Sequence, residues 1–394
     1  MERKVTKVAS LCQLEPDELQ QLSSRIASRF AQQRLPGIAK LELFLTENCT
    51  LRCDYCFVSS KNPERRMPWE TASKAVDFLV SNSRDFNDLS ITLFGGEPLL
   101  EFPLLKRTVE YAEEQARSAG KQIRFAVTIN GTIMSEEIAL FGRDHRFNYL
   151  LSMDGNRAAH DRHRKRPNGK GSWDLVTGEN FRLLKSIQKW LGARVTISPD
   201  TVQRLSASVE DLFEKGINQF LLAPNMDIPW SRRCLNLYAA EMSSVADFYM
   251  RRKAEGAPIR IVDFEETLGK RREKYRSLWG CDAGKTRVAV STNGEIYPCA
   301  RFVSSWPGME RYKLGTLHTG LSEIAPRMEL LDCGGQKRPK CASCDVGDLC
   351  PGGCPAVNLH LSGSIFEVSD LDCLTTRMML DILPRIHGAD KAMT

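Results

Sequence analysis

From residue 40 to residue 254 the chain repeats one pattern, a short apolar run with strand character followed by a longer run at helical spacing. The strand-like runs are KLELFLT (40–46), LSITLF (89–94), IRFAVTIN (123–130), FNYLLSM (147–153), ARVTISP (193–199) and NQFLLAP (218–224). Helical stretches follow from Pro68 and over 103–119, 172–191, near 209–215 and over 233–254. Such pairs need a parallel sheet, because each crossover has to pass back over it. The expected fold class is therefore α/β, a partial (β/α)6 TIM-like barrel whose ligands sit where strands end and loops begin.

The flanks read differently. Residues 1–39 predict a helical segment, opened by Pro16 and Asp17 and carrying Leu19, Leu22, Ile26 and Phe30 on one face. From about residue 276 helical periodicity weakens while glycine and cysteine become dense. There RVAVSTNGEIYPC (287–299) predicts two short strands around an Asn293-Gly294 turn. A segment with so little apolar material is organised by metal ligation. The expected division is 1–39 helical, 40–255 barrel, 256–275 bridging, 276–375 cysteine-rich and 376–394 a terminal helix or tail.

The chain has 394 residues, 42% of them hydrophobic, enough to bury a sizeable core. Its start lacks an apolar signal core, and no run approaches the roughly 18 residues of a membrane span. This reads as a soluble, cytoplasmic protein with no membrane role. In a reducing compartment 13 cysteines point to metal or cluster ligation rather than disulfides. The formal charge of +6 is scattered, except in DRHRKRPNGK (161–170), which reads as a solvated face and requires no nucleic acid. The six histidines show no metal-ligand spacing; His160 reads as a structural residue.

TENCTLRCDYCFV (46–58) sets Cys49, Cys53 and Cys56 at C-x3-C-x2-C directly after the first strand. Three thiols complete neither tetrahedral zinc nor a four-cysteine cluster, so a further ligand must fill the fourth position. With Tyr55 before the last cysteine, the motif resembles that of the radical S-adenosylmethionine (radical SAM) enzymes. Three more strand ends carry segments similar to that family's. FGGEP (94–98) resembles the glycine-rich motif that receives the methionine amino group, with Gly95, Gly96 and Glu97. TINGT (128–132), with Asn130, and SMDG (152–155), with Ser152 and Asp154, resemble segments around the ribose and carboxylate. HDRHR (160–164) resembles an HDxxR element, which makes Arg164 a carboxylate partner.

Downstream, Cys281 and Cys299 precede CASCDVGDLCPGGC, which holds Cys341, Cys344, Cys350 and Cys354, and Cys373 follows. This order resembles a SPASM domain, the auxiliary-cluster extension of radical SAM enzymes that modify peptides and proteins. The resemblance implies one auxiliary [4Fe-4S] cluster on Cys281, Cys299 and Cys354, open or capped by Cys333, and a second on Cys341, Cys344, Cys350 and Cys373. Cys12 and Cys234 read as spare thiols.

Taken together, the resemblance implies S-adenosylmethionine and three [4Fe-4S] clusters, one SAM-binding and two auxiliary. It also implies an external electron donor of flavodoxin or ferredoxin type and a 5'-deoxyadenosyl radical that takes a hydrogen atom from a peptide. The favoured reading is a maturase of ribosomally made peptides (RiPPs) that forms a carbon-carbon (cyclophane) or thioether crosslink in a precursor peptide, whose leader is met by a separate leader-recognition protein or by direct contact. Alternatives are an anaerobic sulfatase-maturase-like enzyme, a peptide epimerase or backbone-excising enzyme and, remotely, a zinc-binding interaction protein. Sulfatase maturases carry an Asp after the second cysteine of the first auxiliary pair, whereas here Cys299 is followed by Ala300-Arg301. No catalytic base is assigned.

Overall fold

The computed structural model describes residues 35–58, 61–275, 281–331 and 338–388. The helix expected around residues 16–30, together with Cys12 and Cys333, lies outside them. Six strands, β1 (Lys40–Thr46), β2 (Asp88–Gly95), β3 (Gln122–Ile129), β4 (Asn148–Ser152), β5 (Gly192–Ile197) and β6 (Gln219–Pro224), fall within two residues of the expected runs. Each pairs with the next in parallel.

The sheet continues past both of its expected edges. β7 (Arg260–Ile261) adds in parallel to β6, and β8 (Arg287–Val290) adds in parallel to β1. The antiparallel strands β9 (Glu295–Tyr297) and β10 (Gly315–Thr316) complete the order β10-β9-β8-β1-β2-β3-β4-β5-β6-β7. The cysteine-rich region therefore begins as an extension of the barrel sheet. Its turn sits at Gly294, where φ is +84°, a conformation that glycine adopts without a Cβ penalty.

Helices α1 (Trp69–Asn82), α2 (Phe102–Ser118), α3 (Glu136–Asp144), α4 (Arg157–His163), α5 (Trp173–Thr177), α6 (Glu179–Ile187), α7 (Leu205–Glu214) and α8 (Arg232–Ala254) alternate with the strands. A single helix is expected over 172–191. The structure instead breaks it at Gly178, whose φ of −81° and ψ of −134° leave the helical region; glycine makes such a break cheap. The break lets the Asn180 amide donate to the Gly131 carbonyl at 3.0 Å, behind the end of β3.

Alternation along the strands separates two faces. Leu41, Leu43, Leu45, Ile91, Leu93, Val127, Leu151, Val195 and Phe220 are buried in one continuous apolar core with the helices. Each such side chain contributes about 1.5–3 kcal/mol relative to exposure. The other face carries Glu42, Thr92, Thr128, Ser152, Arg194 and Thr196, so polar groups line the side away from the helices. Four further helices, α9 (Leu268–Tyr275), α10 (Ile324–Leu331), α11 (Pro355–Ser362) and α12 (Asp370–His387), follow the barrel. No described helix is long and apolar enough to cross a membrane.

Candidate functional site

The loop after β1 is fastened at both ends, since Glu47 N donates to Arg65 O at 2.9 Å and Met67 N to Leu45 O at 2.8 Å. Within it Thr46 Oγ1 accepts from Asn48 N (3.1 Å), Asn48 Oδ1 accepts from Cys49 N (2.9 Å), and Arg52 Nη1 donates to Cys49 O (2.7 Å). Cys56 N donates to Cys53 O at 3.3 Å, closing the turn that holds the last two cysteines. The three thiols stand close together: Cys56 acts electrostatically on both Cys49 and Cys53, and Cys49 on Cys53. Burial pushes Cys53 up to about 12 and raises Cys49 as well, with Arg164 and Lys61 acting in the opposite sense. Lys61 Nζ is 2.8 Å from Cys56 Sγ, a contact that nothing in the sequence pattern announced.

The glycines of FGGEP serve the protein itself. A Cβ on Gly95 would lie 2.2 Å from Thr46 O, and one on Gly96 would lie 2.0 Å from Asn48 O. Gly96 N donates to Thr46 O and Glu97 N to Asn48 O, both at 2.8 Å. Beside the close approach of a ligand expected from the sequence, these glycines allow a close approach between the end of β2 and the cysteine loop. Glu97 is buried and accepts from Leu99 N (3.3 Å) and Asn130 N (2.8 Å). Burial raises its pKa to about 7, against those two hydrogen bonds. Asn130 Nδ2 in turn donates to Thr50 Oγ1 (2.9 Å) and lies 3.5 Å from Cys49 Sγ.

Tyr55, Asp154 and Arg164 form one buried cluster. The Tyr55 hydroxyl donates to Asp154 Oδ2, while Asp154 Oδ1 accepts from Arg164 Nη2 and Thr196 N, each at 3.0 Å. The Arg164 guanidinium lies 5.5 Å from the Tyr55 ring centre. The sequence reading made Arg164 a carboxylate partner for a cofactor; the carboxylate it meets in the structure is that of Asp154. The preceding residues support the same loop. His163 Nδ1 contacts Asp54 (2.9 Å) and His163 Nε2 contacts Asp200 (2.9 Å), and His160 Nε2 contacts Ser172 Oγ (2.9 Å). Part of the basic stretch turns tightly, with Arg166 N donating to Lys170 O at 2.8 Å, and Lys165 O accepts from Arg52 N at 2.7 Å. Ser152, at the end of β4, is buried and its hydroxyl has no hydrogen bond to a described residue.

Seven further thiols gather in two places. Cys281, Cys299 and Cys354 act on one another electrostatically, and burial raises the first to about 11 and the second well above the usual thiol range. Glu42 of β1 holds this group to the barrel by accepting from Ala300 N (2.5 Å) and Arg287 Nη1 (2.8 Å). Arg301 pairs with Asp227 at 3.2 Å and lies 5.6 Å from the Phe57 ring centre. Cys341, Cys344, Cys350 and Cys373 form the other group, on consecutive turns and the first turns of α12. Cys234 stands apart, its Sγ 3.8 Å from Pro199 O. No three described His, Cys, Asp or Glu side chains converge on a single metal ion; a cube of iron and sulfide places its ligands at separate corners and needs no such convergence.

A parallel α/β sheet with a three-thiol loop at the end of its first strand, backed by the GGE turn, defines a radical SAM domain. Residues 43–187 match the Radical SAM superfamily profile, which identifies this stretch of the chain as a radical SAM domain. A cysteine-type anaerobic sulfatase-maturating enzyme of Clostridium novyi is 21% identical over 331 residues, covering 78% of this chain and 85% of that protein. Among solved structures, anSMEcpe with bound AdoMet and Cp18Cys peptide superposes with a TM-score of 0.75, 19% identity and coverage of 90% of this chain and 99% of that one. Streptococcus suis SuiB bound to precursor peptide SuiA gives 0.58 at 17% identity, covering 94% and 87%. These likenesses show a shared fold.

Proposed function

We propose that this enzyme is a peptide maturase that joins two side chains of a ribosomally made precursor through a carbon-carbon or thioether bond. The observation that carries the reading is the gathering of ten cysteines into three groups, one on the barrel and two beyond it, with Ala300-Arg301 rather than a carboxylate following Cys299. The peptides bound by anSMEcpe and by SuiB support a peptide substrate.

The barrel thiols fit a [4Fe-4S] cluster: all three donors are sulfur, burial disfavours Cys49 and Cys53 as free thiolates, and Lys61 and Arg164 supply positive charge. Cys49, Cys53 and Cys56 would hold it, with S-adenosylmethionine, and together these supply one-electron reductive chemistry that makes a hydrogen-abstracting radical. The chain's own residues do the positioning. Tyr55, Asp154 and Arg164 fix the loop, Glu97 and Asn130 tie the ends of β2 and β3 beneath it, and Phe57 stacked on Phe94 at 6.0 Å keeps water from its flank. Two auxiliary clusters would sit on the other thiol groups and accept the electron released when the product forms. A reduced flavodoxin or ferredoxin supplies electrons, and the leader is met by a separate recognition protein or by direct contact.

A sulfatase-maturase reading is favoured by the near full-length match to the Clostridium novyi enzyme. Mass spectrometry separates the two. Anaerobically reconstituted enzyme is given the precursor encoded beside it and, separately, a sulfatase-motif peptide carrying cysteine or serine. Loss of two hydrogens from the precursor, with a new link in its fragmentation pattern, supports crosslinking. An aldehyde on the sulfatase peptide and an unchanged precursor would replace this reading with formylglycine formation.

A further inference from the structure

Arg301 stands where three parts of the molecule meet. Its backbone N–H donates to the sulfur of Cys299, and its guanidinium acts electrostatically on Cys299 and Cys354. The same guanidinium lies 5.6 Å from the ring centre of Phe57, the residue after Cys56, and 5.8 Å from that of Trp306. Its Nη1 meets Asp227, beyond the end of β6, at 3.2 Å. A cation is therefore held between the cysteine loop of the barrel, the loop after β6 and the first thiol group beyond the barrel.

Both members of the pair are fixed. Phe302 N donates to Cys299 O at 3.0 Å, and the Phe302 side chain is fully buried. Asp227 N donates to Asn225 Oδ1 at 3.2 Å, and Asn225 N to Ile197 O at 2.7 Å, at the end of β5. The Arg301 and Asp227 side chains are only 25% and 13% exposed, so water and salt screen them little. The other arginine near these thiols, Arg287, is neutralised by two carboxylates, Glu42 at 2.8 Å and Asp282 at 3.0 Å. Among the described residues Arg301 pairs with Asp227 alone.

Three sulfur donors with guanidinium groups beside them suit an anionic iron-sulfur cluster. Accepting one electron adds one negative charge to such a cluster, and a fixed cation nearby stabilises the reduced form. We propose that Arg301 holds up the reduction potential of the first auxiliary cluster, and that Asp227 limits the rise by drawing on the same guanidinium. Arg301 then acts through the cluster rather than on the peptide. The proposal rests on the auxiliary-cluster reading above.

The test is a potentiometric titration followed by electron paramagnetic resonance on the anaerobically reconstituted full chain. Cys49, Cys53 and Cys56 are changed to Ala, so that only the two groups beyond the barrel report. Cys354→Ala identifies the signal of the first group by removing it. In this background Arg301→Gln is expected to shift the reduction equilibrium of that signal at least about tenfold toward the oxidised form, about 59 mV for one electron. Arg301→Lys should keep most of the wild-type potential, and Asp227→Asn should move it upward by less. The signal of the group at Cys341, Cys344, Cys350 and Cys373 should stay in place throughout. A pair that served only as a strut would not move the potential in opposite directions from its two ends. An unmoved midpoint in Arg301→Gln with the signal present, or shifts of the same sign in Arg301→Gln and Asp227→Asn, overturns the proposal alone. If Arg301→Gln loses the first group's iron, Asp227→Asn decides, an upward shift supporting the proposal and any other result overturning it. Absence of iron from Cys281, Cys299 and Cys354 in the background protein would remove the auxiliary-cluster reading and the proposal together.

Discussion

The three barrel thiols and the four-thiol group at Cys341, Cys344, Cys350 and Cys373 are the same chemistry in opposite settings. The barrel loop is held by hydrogen bonds at the ends of β1, β2, β3 and β4, and its Cys56, Phe57 and Val58 pack with Phe44 and Ala289 in a small apolar cluster. The four-thiol group lies on short turns, and none of its cysteines belongs to an apolar cluster of the described residues. Its contacts are local, such as Cys344 N to Cys341 O (3.1 Å), Gly352 N to Cys350 Sγ (3.3 Å) and Cys350 Sγ to Thr376 Oγ1 (3.4 Å). Where a core already fixes the donors, a cofactor is received; where it does not, the cofactor has to be the core.

Replacement of cysteines tests this contrast most severely. Cys49, Cys53 and Cys56 changed together to Ala are expected to abolish cofactor-dependent turnover while the melting temperature of the iron-free protein moves by about 3 °C or less. Cys341 and Cys344 changed to Ala should open residues 338–354 to limited proteolysis and leave the barrel fragment resistant. If the barrel variant unfolds, or if the C-terminal segment stays protected without its thiols, the contrast is wrong.

A second variant breaks the scaffold rather than the ligands. Asp154 accepts from Tyr55, Arg164 and Thr196 and is 5% exposed. Asp154→Ala leaves the Arg164 guanidinium buried without its anion, which costs about 3–5 kcal/mol. Denaturant unfolding of the iron-free protein measures it, and a loss under about 1 kcal/mol would mean that the cluster is not a keystone of the loop.

Next in size is a pH effect. His160 is fully buried, and burial followed by the nearby Arg164 lowers its pKa to about 4. In the unfolded chain it titrates near 6.5. Between those values the unfolded state binds the proton and the folded state does not, so stability falls as pH drops from about 6.5 to 4, by about 3 kcal/mol. His160→Gln should flatten that limb of the pH-stability curve; an unchanged limb would place its cause elsewhere.

Much of the barrel was legible because alternation marks a strand packed on one face, and all six expected strands were found. The polar face was less so. Arg194 sits in ARVTISP as an ordinary strand residue, and only its register beside Ser152 shows that it belongs to the polar face. The FGGEP glycines have a packing role that the motif did not announce, since the atoms that exclude a Cβ belong to Thr46 and Asn48, about fifty residues earlier. At Arg164 the motif marks a carboxylate partner, and the fold adds a carboxylate of the chain's own, that of Asp154.

The smallest effect is also the cleanest comparison of the two regions. Tyr55→Phe keeps the ring against His163 (5.6 Å between centres) and Arg164, and removes only the hydroxyl given to Asp154. A hydrogen bond to a buried charged acceptor contributes about 1.5–3 kcal/mol, and Asp154 retains two other donors, so about 1.5 kcal/mol is expected. In the C-terminal region Lys340 pairs with Asp370, but the two side chains are 44% and 88% exposed. Water and side-chain entropy offset most of that pair, and Lys340→Ala should cost well under about 1 kcal/mol. Both variants are read by denaturant midpoints of iron-free protein at one ionic strength. Equal losses would mean that the C-terminal turns are held by protein contacts as firmly as the barrel loop, and a larger loss at Lys340 would reverse the comparison.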